Sequence, residues 1–287
     1  MANLRDIKNR IASVKSTQQI TKAMKMVSAA RFRKAEEAIV ANRPYSNKML
    51  EVLGSLALRT EPDAHPLLKR REAKKIALVA FTSDRGLCGS FNGSLIRSID
   101  RFLREKAGEF ESVKLYIVGK KARDYYKSRP VEKLGELVEL FGNVVYGHAQ
   151  KIGTELVSLY ENEELDLVYM VYNEFKSALT QTVVYDRLLP VEPPETQPDV
   201  ANPEYIFEPG KEAMLNWVMP RYVNVRLFRA MLESTASEHG ARMTAMDSAT
   251  NNASDMIGRL TLKYNRARQE AITNELMDIV NGVESMR

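Results

Sequence analysis

The segment whose residue types look most like a site is Thr82-Ser-Asp-Arg-Gly-Leu-Cys-Gly-Ser-Phe-Asn92. It follows an apolar run, Lys75–Phe81, and leads into a stretch of helical spacing. In a doubly wound sheet, the first such strand-to-helix turn often cradles phosphate. The glycines here match neither GxGxxG nor GxxxxGK[ST], and no P-loop lysine is present. The residues are better suited to a sharp turn, with Ser90 or Asn92 capping the helix and Asp84 pairing with Arg85 or another base. A thiol and an imidazole would suggest nucleophilic chemistry, but Cys88 is the one cysteine, and His65, His148 and His239 lie far apart. No cysteine or histidine spacing suits a metal, no internal disulfide is available, and a reducing compartment fits. Glu163 and Glu164 sit in a polar stretch and read as solvated loop.

Charge is more telling than any single nucleophile. The net charge is +5, but Met1–Lys34 holds nine Lys/Arg and one acid, Asp6. Lys8, Lys15 and Lys22 recur every seven residues and form one stripe along a helix. Such a stripe calls for an anionic neighbour: nucleic acid, lipid headgroups or acidic protein loops. Residues 1–31 lack aromatic side chains for stacking on bases. The segment is basic and poor in acids like a transit peptide, yet its helical pattern runs on without a break, so it reads as the start of a helix. It has no continuous apolar stretch of the secretory kind, and the chain contains no run of 18 apolar residues.

The elements that must position these residues fall into three parts. Residues 1–58 read as one helix, with apolar positions at Leu4, Ile7, Ile11, Val14, Ile20, Met24 and Val27 at mostly three- and four-residue steps. Pro44 is a possible kink. Residues 60–71 read as a linker. Residues 74–190 alternate strand and helix patterns, which predicts a mostly parallel sheet covered by helices. The last two strands there read as a hairpin, and 131–146 is ambiguous. Val191–Gly210, with five prolines, reads as a linker or surface loop. Residues 211–287 return to helical period, with Pro220 as a kink or restart and a seam of Met246, Ala249, Ala253, Met256, Leu260, Tyr264, Ala267 and Ala271. The fold class is therefore α/β: a long antiparallel coiled coil of the N- and C-terminal helices plus a Rossmann-like α/β domain. Leu276, Met277, Ile279, Val280 and Val283 spread over an arc too wide for one partner helix. An apolar sleeve supplied by another protein would cover them.

At these residues the chain resembles the γ subunit family of F-type ATP synthase, in its bacterial form. The resemblance is carried by Ile11-Ala-Ser-Val-Lys-Ser-Thr-Gln-Gln-Ile-Thr-Lys-Ala-Met-Lys-Met-Val-Ser-Ala-Ala30 and by the 82–92 segment. It continues in Ser237-Glu-His-Gly-Ala-Arg-Met-Thr-Ala-Met-Asp-Ser-Ala-Thr-Asn-Asn252 and Tyr264-Asn-Arg-Ala-Arg-Gln-Glu-Ala-Ile-Thr-Asn-Glu-Leu276. The family implies a central rotor shaft inside the ring of three α and three β subunits of F1. It also implies contacts with the ε subunit and the c-ring of Fo, and peripheral placement on the cytoplasmic face of the bacterial inner membrane. It implies no catalytic residue, no cofactor, no metal and no nucleic acid; the dithiol insert of the chloroplast form is absent. Lys22, Met24 and Lys25 match the segment facing an acidic lever of the β subunit. Arg242, Gln269, Thr273 and Glu275 match polar positions contacting β-subunit loops. A coiled-coil arm on a nucleic-acid-binding protein and a small nucleotide enzyme built on 74–190 are the other readings, and neither accounts for the terminal helices as a pair.

Overall fold

The computed structural model describes residues 4–57, 64–106, 108–175, 177, 180–192, 208 and 210–286. Helix α1 spans Leu4–Ala57 and α5 spans Lys211–Glu284. Both run through their prolines. Pro44 and Pro220 each leave one carbonyl without a donor, at Val40 and Asn216, and both of those residues are exposed, where water satisfies the group. The chain forms two compact units, Met1–Ser28 with Met243–Arg287, and Ala29–Arg242. The part of α1 from Ala29 on and the part of α5 up to Arg242 therefore belong to the α/β unit, and the coil is shorter than the helices that make it.

In the α/β unit, strands β1 (Lys75–Phe81), β2 (Ser112–Val118), β3 (Lys133–Leu137), β4 (Leu167–Phe175) and β5 (Gln181–Leu189) form one sheet of order β3-β2-β1-β4-β5. The pairs β1–β2, β2–β3 and β1–β4 are parallel, and β4–β5 is antiparallel. The ambiguous stretch thus contains an edge strand, β3. The period-two alternation of β1 divides the core. Ile76, Leu78 and Ala80 face α2 (Phe91–Glu105) and α3 (Lys120–Tyr126), meeting Leu95, Ile99, Ala122 and Tyr126. Ala77, Val79 and Phe81 face the other way, into a cluster with α4 (Tyr146–Glu161), Met49, Leu53 and Leu56 of α1, and Leu215–Met231 of α5. The stretch expected to be only linker is partly core: Pro66–Leu68 is a 3-10 turn whose two leucines are buried. Residues 58–63 and most of 191–210 lie outside the described residues, though Val191 is buried and its N–H donates to the Leu67 carbonyl.

The coil unit is antiparallel. Thr21 meets Thr250 with hydroxyl oxygens 2.8 Å apart, and Lys25 Nζ lies 2.6 Å from Asp247 Oδ1. On α1 the covered positions are Leu4, Ile7, Ile11, Val14, Gln18, Thr21, Met24 with Lys25, and Ser28. Ile20 and Val27, expected in the seam, are 57% and 54% exposed. The three-four rhythm set by Ile7, Ile11 and Val14 reaches Thr21 rather than Ile20, and one residue is about 100° of helix. On α5 the same rule replaces Met256, which is exposed, by Ile257. Carrying the register onward brings Leu4 roughly level with Ala267. Past Ala271 every described side chain of α5 is exposed, Leu276, Ile279, Val280 and Val283 included.

The small, buried Ala253 should not accept added volume. Ala253→Leu is expected to lower stability by about 1–3 kcal/mol in urea denaturation of the full chain. Met256→Ala should stay within about 0.5 kcal/mol of the parent. Equal effects of the two would contradict this seam.

Candidate functional site

The strand order reverses between β1 and β4, and there a doubly wound sheet opens a crevice at the carboxyl ends of its strands. In this chain the crevice is filled by α5. Ser237 Oγ donates to the Asn173 carbonyl at 2.9 Å, and Asn173 Nδ2 donates to the Phe91 carbonyl. Ala241 packs on Cys88 and Phe91. Small residues on α5 make this close seating possible; a larger side chain at 237 or 241 would collide with the strand ends.

The 82–92 turn is fixed from both sides. The Asp84 carboxylate accepts backbone N–H bonds from Lys120, Glu139 and Phe141, so it caps loops and does not pair with Arg85. Those donors follow β2 and β3, so Asp84 ties the first turn to the neighbouring loops on the β2 side of the sheet. Gly119, at φ 98°, passes so near that a Cβ there would lie 2.0 Å from the Thr82 carbonyl oxygen. Asn92 is not a helix cap. Its amide holds the Ser83 N–H, the Ser83 hydroxyl and the Cys88 sulfur, while Ser90 occupies the cap position without a side-chain bond.

Arg242 is buried inside this site. Its Nε and Nη2 donate to the Gly86 carbonyl at 3.2 and 3.1 Å, and Nη2 also reaches the Arg85 carbonyl at 3.2 Å. Nη2 pairs with Glu238 Oε1 at 2.8 Å, and Nη1 lies 3.3 Å from His239 Nδ1. Both partners of the ion pair are buried, and Glu238 Oε2 has no hydrogen-bond partner. Burial pushes the Glu238 carboxyl above the usual range, opposed by the Arg242 charge. Burial, then Arg242 and Arg31, pushes the His239 imidazole down to about 4, so it is neutral at pH 7. Burial raises the Cys88 thiol too, and a neutral, covered thiol is no nucleophile. Ser237, Glu238 and Asn173 carry no signal of a site in their residue type, and His239, considered as a base for Cys88, instead faces Arg242. The four-residue spacing of Glu238 and Arg242 was a readable signal for their pairing.

The remaining expected contact residues belong to the coil unit. Lys8, Lys15 and Lys22 are exposed, Met24 is half-buried, and Lys25 is already paired with Asp247. Gln269, Thr273 and Glu275 are exposed on α5, with Thr273 and Glu275 beyond the reach of α1. The site therefore offers a sheet crevice occupied by the chain itself, and a coil whose outer face is charged and whose end is bare and apolar. That arrangement defines a mechanical class of protein, one that carries force or position along helices. Among the described residues no cluster of histidine, cysteine and carboxylate suits a metal, and no helix is long and apolar enough to cross a membrane.

Comparison with known proteins gives the family. The ATP synthase family profile matches residues 3–286. The chain is 50% identical, over the full length of both, to the ATP synthase gamma chain of Geobacter sp. strain M21. It is 47% identical, again over all of both chains, to that of Pelotomaculum thermopropionicum. Among solved structures it resembles a chain of the Tetrahymena thermophila mitochondrial ATP synthase central stalk and c-ring, with TM-score 0.59 and 25% identity over 80% of this chain and 99% of that one. The chain belongs to the ATP synthase gamma chain family, whose members are non-catalytic subunits of the enzyme.

Two outcomes follow from this geometry. Arg242→Ala removes the bonds that close the turn over the one cysteine, so the rate of maleimide addition to Cys88 should rise at least about tenfold, the equivalent of 1.4 kcal/mol of local opening. An unchanged rate would show that the strap does not hold the turn. His239 has a folded pKa below its unfolded value, so its contribution is fully present above about pH 6.5 and is lost as pH falls toward 4. Relative to His239→Gln, the parent should therefore lose roughly 1–3 kcal/mol between pH 7 and pH 4.5, read from denaturation at each pH. A pH-independent difference would contradict the burial of a neutral imidazole.

Proposed function

We propose that this chain is the central-stalk rotor of a bacterial F1Fo ATP synthase. In this reading the coil unit stands inside the ring of α and β subunits, and the α/β unit meets the ε subunit and the c-ring. Ion flow through Fo turns the c-ring and this shaft with it. The shaft has no threefold symmetry, so each β subunit meets a different face and is held in a different conformation. Differential contact of this kind is the thermodynamic requirement for driving any conformational cycle. The complex would lie at the cytoplasmic face of the inner membrane, with this chain peripheral to it.

The observation that carries the reading is the course of α5. It is core in the α/β unit, strand of the coil in the second unit, and a lone apolar helix past Ala271. A lone helix carrying Leu276, Met277, Ile279, Val280 and Val283 exposed is costly in water, which supports an apolar sleeve around it. The exposed Lys22, beside half-buried Met24, suits an acidic sliding partner. Lys25 contributes less, because Asp247 already offsets its charge. Gln269, Thr273 and Glu275 are free to meet β-subunit loops from the outer face of α5. Arg242, buried against the 82–92 turn, is the least accessible of the proposed contact positions.

Mixing the purified chain with α and β subunits tests this. One chain should join each α/β hexamer in size-exclusion chromatography and change its ATP turnover; separate elution with unaltered turnover would refute the shaft role. Met24→Lys, which adds a cation where the lever slides, should lower ATP made per ion transported while leaving assembly intact. Unchanged coupling in that variant would remove Met24 from the contact.

A further inference from the structure

We propose that Arg242 is a positioning residue that fixes the rotational setting of α5 in the α/β unit, and so sets the torsional stiffness with which the shaft leaves that unit. This rests on the rotor reading. The large apolar side chains that seat α5 in the main core end at Met231. From Glu233 to Ala241 the buried face of α5 is made of small or polar residues, Ser234, Thr235, Ala236, Ser237 and Ala241 among them. Small side chains pack closely but resist rolling weakly, because they interdigitate little. Arg242 is the last residue of the unit on α5, and Met243 begins the coil. Torque carried by the coil enters the α/β unit along both helices, on α1 at Ala29 and on α5 through this stretch.

A guanidinium is a planar fork with fixed donor directions, and it tolerates rotation poorly when it grips two consecutive carbonyls. Arg242 grips those of Arg85 and Gly86. The far side of the grip is itself stiff: three backbone N–H groups pin Asp84, and Asn92 pins Ser83. Glu238, one turn back on the same helix, holds the fork in line. Ser237 adds a single bond to Asn173, which a hydroxyl can keep while the helix turns slightly. The angular hold thus falls to Arg242.

The test uses the assembled complex, with a bead tethered through a tag inserted at the exposed Gly108 turn and rotation followed during ATP hydrolysis. Arg242→Ala should at least about double the variance of bead angle within each catalytic dwell, since breaking a buried pair frees both groups. Arg242→Lys, a point charge without the fork, should fall between, and Glu238→Gln should shift in the same direction. Unchanged variance in Arg242→Ala and Arg242→Lys would overturn the proposal. So would poor assembly combined with parental variance in the complexes that do form, which would mark a purely structural residue. A parent chain that joins the ring but never turns would refute the rotor reading itself, and the role of Arg242 with it.

Discussion

Everything in the α/β unit depends on one helix lying where a ligand would otherwise lie. A parallel sheet whose order reverses between β1 and β4 has a crevice at its carboxyl edge, lined by strand ends. Enzymes of this architecture fill it with a phosphate or a substrate. Here α5 fills the space, and Asp84 holds the loops after β2 and β3 beside it. The filling is permanent, because α5 is covalently part of the chain and its Leu215–Met231 stretch is buried in the main core. A sheet built this way has no room for chemistry at its usual place, and it gains a rigid attachment for a helix that continues far beyond it.

The attachment is polar where the fold can least tolerate error. A buried Arg242–Glu238 pair adds little net stability, since the cost of removing both charges from water offsets their attraction. Its effect is on geometry: only one setting of α5 satisfies the carbonyls of Arg85 and Gly86 together. The coil makes the opposite choice. Its seam holds alanines and hydroxyls, with Thr21 on Thr250 and Ala253 fully covered, while Ile20, Met26 and Val27 point outward. That inversion costs the isolated coil stability and leaves apolar surface for another protein to cover.

The class of fold was legible because periodicity is strong in both long helices and in β1. The continuous apolar run of Lys75–Phe81 foretold a strand buried on both faces, and the paired terminal helices foretold a coil. Exact seam positions were not legible. Ile20, Val27 and Met256 are apolar, but coverage follows the helical phase set by their neighbours, and phase accumulates error over several turns. The 82–92 turn was read correctly as a turn, yet its partners were hidden, since Lys120, Glu139, Phe141 and Arg242 are distant in sequence. The surroundings of Arg242 were equally hidden: the resemblance gave it as a polar contact position, and only the fold shows it buried against the 82–92 turn. The edge strand β3 was missed for a simpler reason: it is five residues long, half-exposed and interrupted by Gly135.

Hydrogen exchange along α5, in the free chain and in the assembled F1 ring, tests the central claim most directly. The account predicts strong protection of residues 215–242 in both states, because the chain supplies that core itself. It predicts weak protection of 272–286 in the free chain and a large gain on assembly, because only the ring can cover that end. Gains confined to 215–242, or none at 272–286, would contradict a shaft that is fixed at one end by its own fold and seated at the other by its partners.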